Sequence, residues 1–337
     1  MNILVTGGSG FLGKYVIRGL VRDSSIDKIY VVTRRPVVFP TEKVVSLCLD
    51  LSKPIKNDVI DLKQIDKVIH LAGEYNFHGH YQQNYLGNVH ATNNLVNWIL
   101  DINPQIQILY ASTFAVLPQD VNTDPSEKVL WRLPPRNNHY AFTKAIAENI
   151  IVNSGLSGVV FRLGILVGDS SDGLIDKING PYYVMNLLDK LTNIPVASRI
   201  PFLVIPGKKE SYLPLVAVDD SARTFIKAAQ MVFDRMEICG LYNPNSCTVA
   251  HLTETIFSKY LPDTKIFFTD KYPDYFLKKQ EILTKIPAEV FSYMSSSLQL
   301  TNSNYQRIFV DDPPKKFADF EQAFLRGFNN YHKGFVS

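Results

Sequence analysis

Met1-Asn-Ile-Leu-Val-Thr-Gly-Gly-Ser-Gly-Phe-Leu-Gly13 decides how this chain folds. Ile3-Leu4-Val5 is a short apolar run that reads as a buried strand, and Phe11 to Val21 has the apolar spacing of an amphipathic helix. Between them fall Gly7, Gly10 and Gly13. Gly7 permits a sharp turn off the strand, Gly10 lets backbone approach a pyrophosphate, and Gly13 lets the helix pack close to the sheet. The helix N-terminus then presents free N–H groups and the positive end of its dipole to phosphate. Gly7, Ser9, Gly10, Phe11, Leu12 and Gly13 are therefore the expected dinucleotide contacts. A glycine-rich turn alone is common in ordinary loops. Here a strand precedes it, a helix follows it, and a second apolar strand, Ile29-Tyr-Val-Val32, comes at βαβ spacing.

Working outward, the first half alternates. Strands are expected at 2–6, 28–33, 44–48, 67–71, 106–111 and 158–163, and helices at 11–22, 81–100 and 139–153. Alternation of this kind predicts an α/β protein with a doubly wound parallel Rossmann sheet and a smaller, interleaved C-terminal substrate-binding part. Residues 1–165 would form the dinucleotide-binding domain, with 214–245 returning to it. Residues 166–213 and 246–337 would form the substrate-binding cap. The first of these is dense in breakers, from Gly168 to Pro214, which suggests long loops over the crevice. Residues 248–300 read as largely helical, and Pro313-Pro314 precedes a last helix, Phe317 to Tyr331.

Ligands of such sheets bind beyond the carboxyl ends of the strands. The second strand ends Val31-Val32-Thr33-Arg34-Arg35, without the acidic residue that usually binds the ribose hydroxyls of NAD. A guanidinium suits a 2′-phosphate, being planar and permanently charged. Arg34 is the favoured contact and Arg35 the second, so NADP(H) is expected over NAD(H). Leu71-Ala72-Gly73, at the end of the fourth strand, should face the same crevice.

Tyr140-Ala-Phe-Thr-Lys144 supplies the chemistry. Residues four apart share one helix face, and an ammonium near a phenol favours the phenolate. The pair would make a proton donor or acceptor able to work near neutral pH, with Lys144 also able to hold the nicotinamide ribose. Ala111-Ser112-Thr113 closes the preceding strand. A hydroxyl there can bind the substrate oxygen beside Tyr140, so that both stabilise charge developing on it. Thr113 is favoured for this role and Ser112 is the alternative.

The loop spacing Thr6-Gly-Gly-Ser-Gly-Phe-Leu-Gly13, the Ser112-Thr113 pair, Tyr140 and Lys144 resemble the extended short-chain dehydrogenase/reductase family. The likeness continues through His70-Leu-Ala-Gly73, Arg162-Leu-Gly-Ile165, Val218-Asp-Asp220 and Leu241-Tyr-Asn-Pro244, and so covers nearly the full chain. It implies that Asp50-Leu51 borders the adenine. It also implies that Asn88, within Asn88-Val-His-Ala-Thr92, orders a water linking Lys144 to solvent. Leu163 departs from the family, which commonly has proline there.

Tyr110-Ala-Ser-Thr-Phe-Ala115 looks like a segment of fatty acyl-CoA reductases and thioester reductase domains. Gly168-Asp-Ser-Ser-Asp-Gly-Leu-Ile-Asp-Lys177 with Gly180-Pro-Tyr-Tyr183 resembles a loop of bacterial members of that group. The resemblance implies hydride transfer to an acyl thioester, borne by CoA or a carrier protein, giving aldehyde or alcohol. Tyr182, Tyr183 and Phe202 are candidate walls of the acyl channel, with core packing as their other reading. The alternatives are another extended-family reaction, on a ketone, an alcohol or a sugar nucleotide, and a catalytically silent dinucleotide sensor.

Composition narrows the class further. A net charge of +3 over 337 residues is too small to suggest nucleic acid as a partner. No apolar run approaches the roughly 20 residues of a membrane span. Cys48, Cys239 and Cys247 make neither a disulfide framework nor metal-ligand spacing, and His78-Gly-His80 lacks further ligands, so no metal is expected. The first strand begins at Asn2, which leaves no room for a leader. A cytoplasmic enzyme is expected, with a homodimer possible.

Overall fold

The computed structural model describes residues 1–56, 59–75, 81–118, 126–135, 138–192, 200–271 and 288–332. In chain order the strands are β1 (Asn2–Thr6), β2 (Lys28–Thr33), β3 (Val44–Cys48), β4 (Lys67–His70), β5 (Gln107–Thr113), β6 (Gly158–Leu163) and β7 (Ile165–Val167). They continue as β8 (Phe202–Pro206), β9 (Tyr212–Leu213), β10 (Leu215–Ala217), β11 (Met236–Leu241), β12 (Cys247–Thr248) and β13 (Lys265–Thr269). The helices are α1 (Phe11–Arg22), α2 (Tyr81–Asn84), α3 (Ala91–Ile102), α4 (His139–Val152) and α5 (Tyr182–Thr192). They are followed by α6 (Val218–Ala229), α7 (Val249–Tyr260), α8 (Ala288–Met294), α9 (Ser303–Ile308) and α10 (Phe317–His332).

Seven parallel strands form the central sheet in the order β11-β6-β5-β4-β1-β2-β3. The chain winds outward from β1 to β3, then crosses back to β4 and winds the other way. The switch point lies between β1 and β4, where a crevice opens at the carboxyl ends. Both faces are covered, as strands that are apolar on both sides require. Val16 and Leu20 of α1 and Phe225 of α6 pack on one face. Leu95, Trp98 and Ile99 of α3 and Ile151 of α4 pack on the other.

The expected helix over 81–100 is interrupted. Residues Tyr85–His90 form a π-helical turn before α3, and Asn88 lies within it. Such turns often occur at functional sites. The described residues of 248–300 are also less helical than the pattern suggested. After α7 the chain forms β13, parallel to β8 with Phe267 opposite Val204. The β-branched and aromatic content of Lys265-Ile-Phe-Phe-Thr269 favours a strand once an edge is available to pair with. The inner side chains Leu203, Ile205, Ile266 and Phe268 pack against a third core, built mainly from α5, α7 and α10.

This C-terminal layer is clamped to the sheet layer by polar contacts. Asp219, in the first turn of α6, accepts from the Ser170 backbone at 2.8 Å and from its hydroxyl at 2.6 Å. Lys315 donates from Nζ to the Ser170 hydroxyl at 2.6 Å, and its backbone N–H donates to Asp220 at 2.7 Å. Arg223 bonds both Asp220 and Asp312. Among the described residues, no helix is long and apolar enough to cross a membrane.

Candidate active site

The turn after β1 has the geometry its glycines suggested. Gly7 adopts φ +72°, and a side chain there would collide with the backbone of Leu71 and Ala72, because the chain leaving β4 runs close beside the turn. A Cβ on Gly13 would lie 2.2 Å from the Gly7 carbonyl, so α1 approaches the loop only because that atom is missing. Gly10 caps α1 with no side chain bonded to the free N–H groups, and the first turn holds no acid. The first turn is thus an uncapped set of donors with room in front of it, which fits a pyrophosphate.

Arg34 and Arg35 are exposed beyond β2, where the Thr33 hydroxyl donates to the Arg35 carbonyl at 2.7 Å and shapes the bend. Asp50 follows β3. Its carboxylate accepts from the backbone and hydroxyl of Ser52, which lower its pKa, and its negative charge lies close enough to Arg34 to be felt there. Leu51 is buried, and its carbonyl accepts from Asn94 of α3 at 2.9 Å. The segment after β3 is thereby tied to α3.

At the other end stand the side chains of α4. Asn138 caps this helix by accepting from the Ala141 N–H at 3.0 Å. Tyr140 lies in the first turn, and its hydroxyl is hydrogen-bonded to Thr113. Thr113 also accepts from the Ala115 N–H at 3.3 Å. Lys144, one turn later, is buried and donates to the Tyr110 hydroxyl and the Ala111 carbonyl, both at 2.7 Å. The expected lowering of the Tyr140 pKa by Lys144 is not found. Burial pushes the phenol up to about 12, opposed by the Thr113 hydrogen bond. Burial also pulls Lys144 down to about 7, opposed by the Glu148 carboxylate. Tyr140 therefore holds its proton near neutral pH, and Lys144 is poised to exchange one.

Ser112 and Thr113 diverge, as successive residues of a strand must. The Ser112 hydroxyl donates to Glu148, which forms a fully buried ion pair with Arg162, the residue opposite Ser112 in the sheet. Asn88 uses both amide hydrogens on protein, on the Thr143 hydroxyl at 3.0 Å and the Glu74 carbonyl at 3.2 Å, and accepts from the Glu74 N–H at 2.8 Å. Its side chain ties the exit of β4 to α4.

A cavity of about 440 Å³ opens from these residues. Gly73, Tyr140 and Lys144 lie at one end, while Leu187, Leu252 and Phe257 belong to its apolar side. Tyr182 is not on its wall. Its ring packs on Phe324 in the C-terminal core, and its hydroxyl accepts from the Gly168 N–H at 3.0 Å. Tyr183 and Phe202 also lie off the lining, which on these sides comes from Pro181 and Val184 and from Leu203 and Ile205. The inward face of a helix or strand depends on its rotation, which single residues in a breaker-rich segment do not reveal. His78 and His80 fall outside the described residues, and among the described residues no three His, Cys, Asp or Glu side chains are grouped to hold a metal.

The sequence reading missed Glu148, Arg162, Tyr110 and Tyr75. Glu148 was accessible, since it continues the four-residue stripe of Tyr140 and Lys144 along α4. Tyr75 packs edge-on against Tyr140 at 5.0 Å, and nothing in its local sequence signals that contact.

Residues 3–239 match the model of the NAD dependent epimerase/dehydratase family. The chain belongs to that family. It is an extended short-chain dehydrogenase/reductase, an enzyme type that works with a nicotinamide dinucleotide. It is 28% identical over 210 residues to the hybrid PKS-NRPS synthetase gkaA of Penicillium citrinum, covering 56% of this chain and 5% of the synthetase. The chain thus spans a small fraction of the synthetases it matches. It is 30% identical over 154 residues to GDP-6-deoxy-D-talose 4-dehydrogenase of Aggregatibacter actinomycetemcomitans, covering 45% of this chain and 47% of that enzyme. Among solved structures, the terminal R domain of the myxalamid PKS-NRPS pathway superposes with a TM-score of 0.71 at 17% identity, over 100% of this chain and 92% of that one. The Bordetella bronchiseptica enzyme WbmH, in complex with NAD+, gives 0.66 at 17% identity, over 98% of each chain. These two likenesses are of fold.

Proposed function

We propose that this family member is an NADPH-dependent reductase of acyl thioesters, carried on CoA or on a carrier protein. One observation carries the reading. A single cavity joins the Tyr140–Thr113 pair to a chamber walled by Leu187, Leu252, Ile256 and Phe257. An acyl chain fits such a wall, which offers the diphosphate and sugar of a nucleotide no polar partner; the cations of the cavity lining are Lys144 and Lys177. The similarity to synthetases supports the same reading, and the dehydrogenase relative supports the alternative of a ketone or alcohol substrate. Residues 166–213 and 246–337 would supply the substrate side. The free thiols of the chain suit a reducing, cytoplasmic setting.

The turn Gly7–Gly13 and the uncapped start of α1 would hold the pyrophosphate, Arg34 and Arg35 the 2′-phosphate, Asp50 and Leu51 the adenine side, and Leu71, Ala72, Gly73 and Lys144 the nicotinamide half. The bound dinucleotide supplies a hydride to the thioester carbonyl carbon. Thr113 and Tyr140 donate hydrogen bonds to the carbonyl oxygen as it gains charge. A phenol held protonated by burial is suited to donating, and Tyr140 can pass its proton to that oxygen. The carbonyl reforms as the C–S bond breaks, the oxygen returns its proton to Tyr140, and the sulfur leaves as a thiolate that takes one proton from solvent to become the thiol. One thioester, one hydride and one proton thus give one aldehyde and one thiol.

The test is to incubate the protein with NADPH and a panel of acyl-CoA thioesters, aldehydes and ketones. Loss of NADPH absorbance matched by aldehyde and free thiol supports the reading. Turnover of ketones alone overturns it in favour of the alternative. NADPH binding with no turnover of any member indicates a sensor.

A further inference from the structure

Behind Lys144 runs a line of buried polar side chains with no assigned task. Strands β1, β4 and β5 are adjacent, and their register sets Thr6 beside His70 and His70 beside Tyr110. All three are wholly buried, and Thr92 of α3 is nearly so. The Tyr110 ring stacks on His70 at 5.3 Å, and the Lys144 ammonium lies 4.3 Å from that ring's centre while donating to its hydroxyl.

The hydrogen bonds run from Lys144 to Thr6 without a break. The Tyr110 oxygen accepts a hydrogen bond from Lys144 and is also hydrogen-bonded to Thr92. Thr92 stands 3.0 Å from His70 Nε2, and His70 Nδ1 stands 2.6 Å from the Thr6 hydroxyl oxygen. Burial holds His70 neutral, with its pKa near about 3, so only one of its nitrogens carries hydrogen. One of Thr92 and Thr6 therefore donates to the ring and the other accepts from it. The Thr6 oxygen also accepts the Ala72 N–H at 3.2 Å. Thr6 directly precedes Gly7, and Ala72 is the residue against which Gly7 turns.

We propose that Tyr110 is a positioning residue. The chain Tyr110–Thr92–His70–Thr6 holds the charged form of Lys144 and joins it to the glycine turn, so that the proton on Lys144 and the binding of dinucleotide are coupled. The other groups facing Lys144 do not supply this link. Glu148, one turn further along α4, favours the ammonium, but Arg162 of β6 already pairs with it. Tyr140 on the same helix keeps its proton, the Ala111 carbonyl of β5 accepts without relaying, and Asn88 and Gly73 carry no charge. A tyrosine that merely filled the core would affect stability and leave the proton affinity of Lys144 alone.

The inference rests on Lys144 facing the dinucleotide, as in the proposed function, and its test reads cofactor binding without any thioester. NADPH affinity is measured by fluorescence across the pH range on both sides of 7. For the unaltered protein, affinity should fall as pH rises through about 7, because neutral Lys144 attracts the anionic ligand less. Tyr110→Phe keeps the ring and removes the acceptor. It should move the midpoint to lower pH by about one unit, the size expected for a hydrogen bond to a charged group. Thr92→Val, which keeps the shape and removes the next link, should shift it the same way by less. An unmoved midpoint in folded Tyr110→Phe overturns the proposal. If that variant does not fold, an unmoved midpoint in Thr92→Val does so, and so does pH-independent affinity in the unaltered protein. Failure of the thioester assay would leave these shifts unchanged, so the two readings fail separately.

Discussion

The Ser112 hydroxyl is bonded to the buried Glu148 carboxylate, while its neighbour Thr113 is bonded to Tyr140. One strand end therefore serves two purposes. Ser112 helps satisfy an ion pair inside the protein, and Thr113 lines the cavity, where the proposed reaction would use it. Replacing them should separate these roles. Ser112→Ala strips a partner from a buried charge and should cost about 1–3 kcal/mol of stability with little change in turnover. Thr113→Val should lower kcat with a smaller loss of stability. Chemical denaturation and steady-state assays of both variants give the comparison, and the reverse pattern would exchange the roles.

Arg162 and Glu148 are buried together, so removing one partner strands the other. Arg162→Met should destabilise the protein by about 3–5 kcal/mol, the range for breaking a buried pair. Arg162 also donates to the Ser126 and Lys128 carbonyls, which adds to the loss. Urea unfolding measures it. A change under 1 kcal/mol would mean that water reaches Glu148.

Tyr140→Phe deletes the proton donor and keeps the ring contact with Tyr75. Turnover should fall by about 10²–10⁴-fold, the usual contribution of a general acid. Dinucleotide affinity, followed by fluorescence, should change little. Retained turnover would move the proton role to another group.

Arg34→Asp should weaken NADPH by about 10–100-fold, the value of a charged hydrogen bond, and leave NADH nearly unaffected. Titration with both cofactors tests this directly. Equal losses would remove the 2′-phosphate from this corner.

Cofactor-free stability should depend on pH through Lys144. Its folded pKa, near about 7, is below its ordinary value of 10.5, so the unfolded chain binds more protons between those values. The contribution is fully present above pH 10.5, declines as pH falls and is gone below about 7. Lys67, lowered to about 8 by burial, acts in the same direction over the upper part of this window. Thermal melts should therefore show a loss on going from pH 10 to pH 7 that is reduced in Lys144→Met.

The glycine turn, the strand positions of the first half and the Tyr140–Lys144 face were legible because each depends on short spacing. β13 and the channel wall were not, since they depend on contacts between segments far apart in the chain, β8 with β13 and Tyr182 with Phe324. β13 became a strand only against β8, and Tyr182 turned inward because Phe324 waits there. The effect of Lys144 on Tyr140 was misjudged for a related reason. Helix spacing puts the two on one face, but burial and the acceptors Tyr110 and Ala111 decide where the ammonium points.

Asp219, Ser170 and Lys315 come from three distant parts of the chain, and two of them belong to the layer that covers the cavity. Asp219 sits on α6, which packs directly on the central sheet. At this edge the roof is fastened to the floor. Substrate and product must then pass without the two layers swinging apart there, and the distance from the cofactor crevice to the apolar chamber is kept as a fixed gauge. On the proposed function, a substrate would be measured against a fixed slot on this side, and where the rest of it fits would set how its reacting carbon meets Tyr140.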